Sequence, residues 1–311
     1  MEKKKLFNRA VILGAAGFIG INLSHTLAAQ GWEVICFDHI TSPNWPLSAK
    51  IIVGDFEKMP AALLESMEDA TVFHLISSCR PSATTEKAAD EVAYDLISTI
   101  NYLELCRDRA LRWVFISSGG TVYGHTEENA LLESAGTQPI CTYGLVKLSI
   151  EQYFSLYKKI HNIDYVVVRL ANPYGPWQRP LIGQGLVATL IFKALNGEPI
   201  EVWGSGENVR DYIYIDDAIE GILAVAQNGQ SGETYNVGTG KGTSINALIG
   251  LIREVLSLKI AVNYIEARNV DVKRNVLNFT KLSQRTGWKP VVTFEIGVQR
   301  SAEWIKTKFK P

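Results

Sequence analysis

Tyr143 and Lys147 stand four residues apart in Tyr143-Gly144-Leu145-Val146-Lys147. On a helix that spacing puts a phenol and an ammonium on one face. A lone tyrosine, with a pKa near about 10, is a poor base at neutral pH. A neighbouring ammonium favours the phenolate, so the pair is suited to exchanging a proton with a hydroxyl or a carbonyl. A second set, Gly14-Ala15-Ala16-Gly17-Phe18-Ile19-Gly20, spaces three glycines as GxxGxxG. Between a strand and a helix this pattern handles phosphate. Gly14 permits the tight turn, Gly17 lets a pyrophosphate approach the backbone, and Gly20 lets helix and strand pack closely. The N–H groups at Phe18, Ile19 and Gly20 and the positive helix end hold the charge. Asp38 follows Gly20 by 18 residues, at the end of Val34-Ile35-Cys36-Phe37-Asp38. A carboxylate there takes both ribose hydroxyls of an adenosine. It would also repel a 2′-phosphate, and His39 and Ile40 follow it rather than Arg or Lys, so NAD is expected over NADP. Asp55, after Val53-Gly54, reads either as a partner for the adenine amino group or as a plain turn aspartate.

These groups need elements to carry them. Short β-rich runs lie at Arg9–Leu13, Glu33–Asp38, Lys50–Val53, Thr71–Ile76, Trp113–Ser117 and Tyr165–Leu170. Helical patterns separate them at Gly17–Gln30, Met59–Met67, Asp90–Arg109 and Thr142–His161. The strands are apolar throughout rather than on alternate residues. The pattern predicts an α/β fold, a Rossmann-type doubly wound parallel sheet covered on both faces. After Asn172 the pattern changes, with Pro173, Gly175, Pro176, Pro180, Gly183 and Gly185 crowding a loop. A smaller C-terminal α+β lobe is expected from there. The division predicted is 1–171 with a return segment 211–237, against 172–210 with 238–311. Asp216 and Asp217 read as the start of a helix at Ala218–Gln227, not as a metal pair, and no metal is expected.

The chain has 311 residues, 47% of them hydrophobic, and its 31 Lys+Arg against 32 Asp+Glu leave a net charge of -1. That length suits two lobes, and that apolar content excludes intrinsic disorder. A phosphate-reading surface would show a basic excess, so no nucleic-acid partner is expected. Cys36, Cys79, Cys106 and Cys141 form no CxxC pair and read as reduced thiols. The N-terminal apolar run is broken by Gly14 and Gly17, and no window reaches the roughly 20 apolar residues of a membrane span. A soluble cytoplasmic protein without a membrane partner is expected.

Taken together the motifs resemble the extended short-chain dehydrogenase/reductases, in particular the nucleotide-sugar epimerase/dehydratase family of the UDP-glucose/UDP-galactose 4-epimerase kind. The resemblance is carried by Gly14–Gly20, Asp38, Val72-Phe73-His74-Leu75-Ile76, Ser117-Ser118-Gly119-Gly120-Thr121-Val122-Tyr123-Gly124, Tyr143/Lys147, Asn172-Pro173-Tyr174-Gly175-Pro176 and Val209–Asp217. It implies that the first lobe binds NAD, with Leu75 and Ser117 added to the cofactor site, and that the second binds a nucleotide-diphosphate sugar. By the same resemblance Asn172 and Arg210 meet the substrate diphosphate, a guanidinium fork suiting two phosphates. Arg268 and Asp271 resemble the pair that holds the nucleotide's phosphate and ribose. Trp177, Gln178 and Arg179 read either as a lining of the sugar pocket or as the packing of a loop lid.

One departure stands out. The family's usual catalytic Ser or Thr falls at Gly119, which has no side chain to offer the sugar oxygen. Thr121, Ser118 or an ordered water is left to supply that hydroxyl, or the specificity needs none. Gly120-Thr121 also stand where the related 4,6-dehydratases carry an Asp-Glu pair, which speaks against elimination. The resemblance therefore implies an NAD-dependent epimerase acting at C4 through a transient 4-keto sugar. The alternatives are a 4-keto sugar-nucleotide reductase and a non-catalytic NAD-binding protein. The helices at Asp90–Arg109 and Thr142–His161 correspond to those that form a helix bundle between subunits in the family, implying a homodimer.

Overall fold

The computed structural model describes residues 7–78, 88–126, 128–182, 185–266 and 272–309. The chain begins with β1 (Arg9–Leu13), α1 (Phe18–Ala29), β2 (Glu33–Asp38), β3 (Lys50–Val53), α2 (Ala61–Ser66) and β4 (Ala70–His74). Then come α3 (Ala88–Glu91), a π-helical stretch at Val92–Ile97, α4 (Ser98–Cys106), β5 (Leu111–Ser118), α5 (Thr142–His161) and β6 (Asp164–Leu170). Next are β7 (Asn172–Tyr174), α6 (Leu186–Leu195), β8 (Ile200–Trp203), β9 (Val209–Tyr214) and α7 (Ile215–Asn228). The remainder forms β10 (Thr234–Val237), β11 (Gly242–Ser244), α8 (Ile245–Leu256), β12 (Val262–Ile265), β13 (Arg274–Asn275), α9 (Thr280–Thr286) and α10 (Phe294–Lys308).

Two compact units result. The first comprises Met1–Ser118, Thr142–Arg169 and Ile222–Tyr235; the second comprises Gly119–Cys141, Leu170–Gly221 and Asn236–Pro311. The first is built on a seven-stranded sheet in the order β10-β6-β5-β4-β1-β2-β3. β3, β2, β1, β4 and β5 pair in parallel, Val11 lying opposite both Ile35 and Val72. Every residue of β4 is buried, as a strand covered on both faces must be. Its core joins Val11, Phe37, Val72, Trp113 and Phe115 of the sheet to Val146, Ile150 and Phe154 of α5. The order of winding reverses between β1 and β4, which is where a doubly wound sheet opens a crevice beyond its strand ends.

The helix expected across 90–109 runs unbroken from Ala88 to Cys106, but its middle, Val92–Ile97, takes the wider π register. There the Ser98 N–H reaches the Ala93 carbonyl, five residues back, and the Thr99 hydroxyl donates to the Asp95 carbonyl (2.5 Å). Asp95 is fully buried there, its carboxylate accepting from the Ser77 hydroxyl (2.9 Å) and the Ser78 N–H (2.8 Å). Such π segments recur at functional sites.

In the second unit β9 pairs antiparallel with β11 and parallel with β7 and β13, while β8 pairs with β12. α10 packs on α6 and α8. Asp211, with no exposed surface, knits this unit together. Its carboxylate accepts from the Thr239 N–H and hydroxyl, the Gly240 N–H and the Leu277 N–H. Burial pushes this carboxyl above the ordinary aspartate range, and the Thr239, Leu277 and Gly240 donors pull it back down. The division expected from the sequence, which kept 119–141 and 211–221 in the first lobe, differs from these units. β9 extends to Tyr214 and pairs with β7, β11 and β13, and Leu131 bridges to Leu277, so both stretches cluster with the second unit.

Cys36 and Cys106 are buried free thiols, raised to about 12 and about 11 chiefly by burial, and Cys141 is a half-buried one. No helix among the described residues is long and apolar enough to cross a membrane.

Candidate active site

In the first unit, the turn between β1 and α1 has the geometry its glycines anticipate. Gly14 sits at φ +88°, a left-handed conformation, with a hypothetical Cβ only 3.1 Å from the Ile76 nitrogen and 3.2 Å from the Leu75 carbonyl carbon. A Cβ on Gly20 would lie 2.4 Å from the Gly14 oxygen, so only glycine lets the helix pack this closely on the turn. Gly17 differs. It has an ordinary φ of -74°, and a Cβ there would meet the Gly14 oxygen at 3.4 Å, an ordinary contact. The fold therefore does not demand glycine at 17; what glycine provides is an uncovered backbone at the N-cap. No side chain caps α1 and no acidic residue lies in its first turn. Its leading N–H groups, Phe18 and Ile19 among them, present the positive end that suits a pyrophosphate.

Asp38 closes β2 beside this turn. Its Oδ2 accepts the Ala16 N–H (2.9 Å), its Oδ1 accepts the His39 N–H (2.8 Å), and the His39 ring Nδ1 lies 2.7 Å from Oδ1. Trp45, buried within the same unit, donates its indole N–H to the Ala15 carbonyl (2.9 Å) and holds the turn from outside. No periodic pattern in its loop marked it in the sequence. Asp55 is exposed, and its Oδ1 accepts the Glu57 N–H (3.1 Å), the bond of a turn aspartate. The glycine turn, the Asp38 carboxylate and the backbone at Leu75 thus gather at the carboxyl ends of β1, β2 and β4, and they fit a dinucleotide.

Lys147, 2% exposed, donates to the Ile76 carbonyl (3.2 Å) and lies 5.0 Å from the centre of the Phe115 ring and 5.8 Å from that of Tyr143. Helical spacing brings phenol and ammonium onto one face of α5, as their positions predict. His74, at the end of β4, is fully buried and bonds through Nε2 to the Thr99 hydroxyl (2.8 Å). Burial, reinforced by the Lys147 charge, holds its pKa well below the usual histidine range, so it stays neutral. The Ser117 hydroxyl donates to Glu151 (2.5 Å), which leaves its backbone as the part that could touch a cofactor. Glu151, one helical turn beyond Lys147, is a charged residue on an otherwise buried face; that position was the available signal, and sequence reasoning passed over it.

The second unit holds the other group of residues. The Gly119 N–H donates to Leu170 O (2.8 Å), and its carbonyl accepts from Asn275 Nδ2 (2.8 Å). A Cβ at 119 would stand 2.4 Å from Leu277 Cδ1, so the buried Leu277 side chain fills the direction a serine would need. The Thr121 Oγ1 is buried with no hydrogen-bond partner among the described residues. Ser118 closes β5 in the first unit and is half-buried.

Asn172 donates its side-chain amide to the Asp211 carbonyl (3.0 Å), locking β7 onto β9. Arg210 is half-buried, its Nη1 donating to the Val209 carbonyl (2.9 Å) and its charge lowering the Tyr212 hydroxyl against the larger effect of burial. Trp177 has a left-handed backbone, φ +73°, and packs edge-on against Trp304 with Lys308 over its ring. Gln178 donates to the Pro173 carbonyl (3.0 Å), while Arg179 is exposed. Asp216 and Asp217 lie in the first turn of α7, which starts at Ile215; Asp217 accepts the Val291 and Val292 N–H groups, and Asp216 pairs with Arg300. Arg268 and Asp271 fall outside the described residues. Among those described, no three His, Cys, Asp or Glu side chains gather as a metal site requires.

Known proteins are similar to this chain in sequence and fold. The profile of the NAD dependent epimerase/dehydratase family matches residues 10–238. A UDP-glucose 4-epimerase of Mycolicibacterium smegmatis is 27% identical over 314 residues, covering 96% of this chain and 99% of that protein. The crystal structure of a UDP-glucose 4-epimerase from Thermotoga maritima with UDP-glucose superposes with a TM-score of 0.91 at 30% identity, covering 97% of this chain and all, 100%, of that one. A UDP-glucuronic acid 4-epimerase from Bacillus cereus, in complex with UDP-glucuronic acid and NAD, gives a TM-score of 0.88 at 26% identity, over 97% of this chain and 100% of that one. With the family profile spanning residues 10–238, and the glycine turn, Asp38 and the Tyr143–Lys147 face in place, this chain belongs to the NAD-dependent epimerase/dehydratase family.

Proposed function

We propose that the chain is an NAD-dependent epimerase that inverts C4 of a nucleotide-diphosphate sugar. The observation that carries this reading is the Tyr143–Lys147 face of α5, held in the same unit as the Gly14–Gly20 turn and Asp38. Gly14, Gly17, Phe18, Ile19 and Gly20 would hold the pyrophosphate of NAD, and Asp38 the adenosine ribose. When bound, NAD supplies a nicotinamide that accepts and returns a hydride. Tyr143, as phenolate, takes the proton of the 4-hydroxyl and gives it back after the 4-keto sugar has turned over. Lys147 keeps a positive charge beside that phenol, and its bond to Ile76 O fixes where the charge sits. Asn172 and Arg210, with Arg268 and Asp271, are assigned to the substrate's diphosphate and nucleotide by family resemblance.

Thr121 is assigned the hydroxyl that the family places at Gly119; the Leu277 side chain beside Gly119 supports that choice. Exposed Leu105 on α4, and Leu145, Leu156 and Ile160 on α5, support a homodimer through these helices. The free thiols support a reducing, cytoplasmic location.

The test is direct. Purified protein is denatured and the released NAD measured, and fresh protein is incubated with UDP-glucose, UDP-galactose and UDP-glucuronic acid. Tightly held NAD and interconverted sugars without net absorbance change at about 340 nm are expected, because hydride leaves and returns within one turnover. Stoichiometric consumption of reduced cofactor would instead identify a 4-keto reductase. Tyr143→Phe lowers the interconversion rate by at least about 100-fold.

A further inference from the structure

Behind the Tyr143–Lys147 pair lies a charged cluster that proton transfer, as described, does not use. Tyr143, Lys147 and Glu151 follow one another at four-residue steps, so they share a face of α5. Glu151 is 5% exposed and Arg169, on β6, is 6% exposed. Arg169 forks onto Glu151, with Nη2 to Oε2 at 2.7 Å and Nε 3.2 Å from each oxygen. The Ser117 hydroxyl, from the end of β5, donates to Oε1 at 2.5 Å. The carboxylate is therefore engaged on both oxygens by groups lying on the sheet.

Its position makes that engagement consequential. An unpaired carboxylate one helical turn from Lys147 would attract the ammonium away from Tyr143. It would also oppose ionisation of the phenol. We propose that Arg169 and Ser117 hold Glu151 as a compensated carboxylate, and that this buried pair keeps the Lys147 charge directed to Tyr143. Glu151 and Arg169 are thus positioning residues for the proton transfer; neither touches the substrate. The inference rests on the reading of Tyr143 and Lys147 as the proton-transfer pair.

Other ionisable groups belong to the elements around this face. They are His74 on β4, Arg112 on β5, Tyr165 on β6, Asp90 and Glu91 on α3, Tyr94 and Asp95 in the π-helical stretch, and Glu104 on α4. Tyr153 and Tyr157 lie on α5 itself. All are unchanged in the variants below, so differences between pH profiles report the Glu151–Arg169 pair.

The experiment is the pH dependence of kcat/KM for UDP-galactose conversion by the NAD-loaded enzyme. Its acid limb reports the pKa of the free enzyme's base. Glu151→Gln leaves a guanidinium that cannot lose its proton, so the acid limb moves to lower pH. The expected shift is about one pH unit, the effect of a unit charge about 12 Å along the helix at an effective dielectric of about 20. Arg169→Met moves the limb upward. The charge-free double variant Glu151→Gln/Arg169→Met returns it to the wild-type position, and Arg169→Lys, which keeps the charge, stays near it. Where a lone buried charge prevents folding, Ser117→Ala adds no charge and loosens Glu151, so its limb also moves up. Profiles of the folded variants that coincide with wild type, or shifts of Glu151→Gln and Arg169→Met in the same direction, overturn the proposal. Tyr143→Phe in the same assay separates the two ideas. Full activity there removes the proton-transfer reading itself, whereas an inactive Tyr143→Phe with unmoved limbs removes only this inference.

Discussion

A hydroxyl without a partner is the sharpest single-residue feature of the second unit. The Thr121 Oγ1 is buried and bonds to nothing among the described residues, so the folded chain gains nothing from it and carries its desolvation. Thr121→Val, close in shape, is therefore expected to leave the melting temperature unchanged or slightly higher while lowering kcat by about 10- to 100-fold, the order lost with a directed transition-state donor. Thermal melting read beside turnover checks this, and a valine variant with wild-type kcat gives the role to Ser118 or to water. That Gly119 lacks the usual hydroxyl was legible in the sequence, since it needs only a residue identity. That Leu277 fills the vacant direction was not, because it lies 158 positions away and only the fold brings it there.

At the level of the element, the β1–α1 turn separates two kinds of glycine that look alike in GxxGxxG. A methyl on Gly20 would overlap the Gly14 oxygen at 2.4 Å, whereas one on Gly17 meets it at an ordinary 3.4 Å. Gly20→Ala therefore has to displace α1 from the turn, and a loss of roughly 2 kcal/mol or more in unfolding free energy is expected, the scale of overpacking. Gly17→Ala should fold with near-native stability yet purify with little NAD, since its methyl would cover the backbone assigned above to the pyrophosphate. Chemical denaturation and NAD released per chain distinguish the two. Equal stability losses in both variants would show that Gly17 serves packing alone. The sequence carried this turn well because strand, turn and helix are contiguous. In the region 90–109 it carried the helix but not its register. The apolar period there reads as one helix, which the chain forms, but the local shift to five-residue bonding over Val92–Ile97 is invisible to periodicity.

For the molecule as a whole, strand–helix alternation announced the doubly wound sheet, but the unit boundaries depend on pairings between distant segments, such as Leu131 with Leu277. Assembly belongs to the same scale. On α5, Leu145, Leu156 and Ile160 are spaced by three turns and then one, so they share an outward face, and all three are exposed. Leu105 adds an exposed apolar side chain on α4. A stripe of this kind on a chain whose net charge is only -1 meets little electrostatic resistance to self-association. Burying it between two copies would contribute about 25 cal/mol per Å² of apolar surface. Leu145→Glu with Ile160→Glu places two carboxylates in that stripe at positions more than half exposed in the isolated chain. Sedimentation velocity should give twice the chain mass for the wild type and the single chain mass for the double variant, with both retaining the same far-UV circular dichroism. A wild type that sediments as a monomer, or a double variant that remains a dimer, places any subunit contact elsewhere than on these two helices.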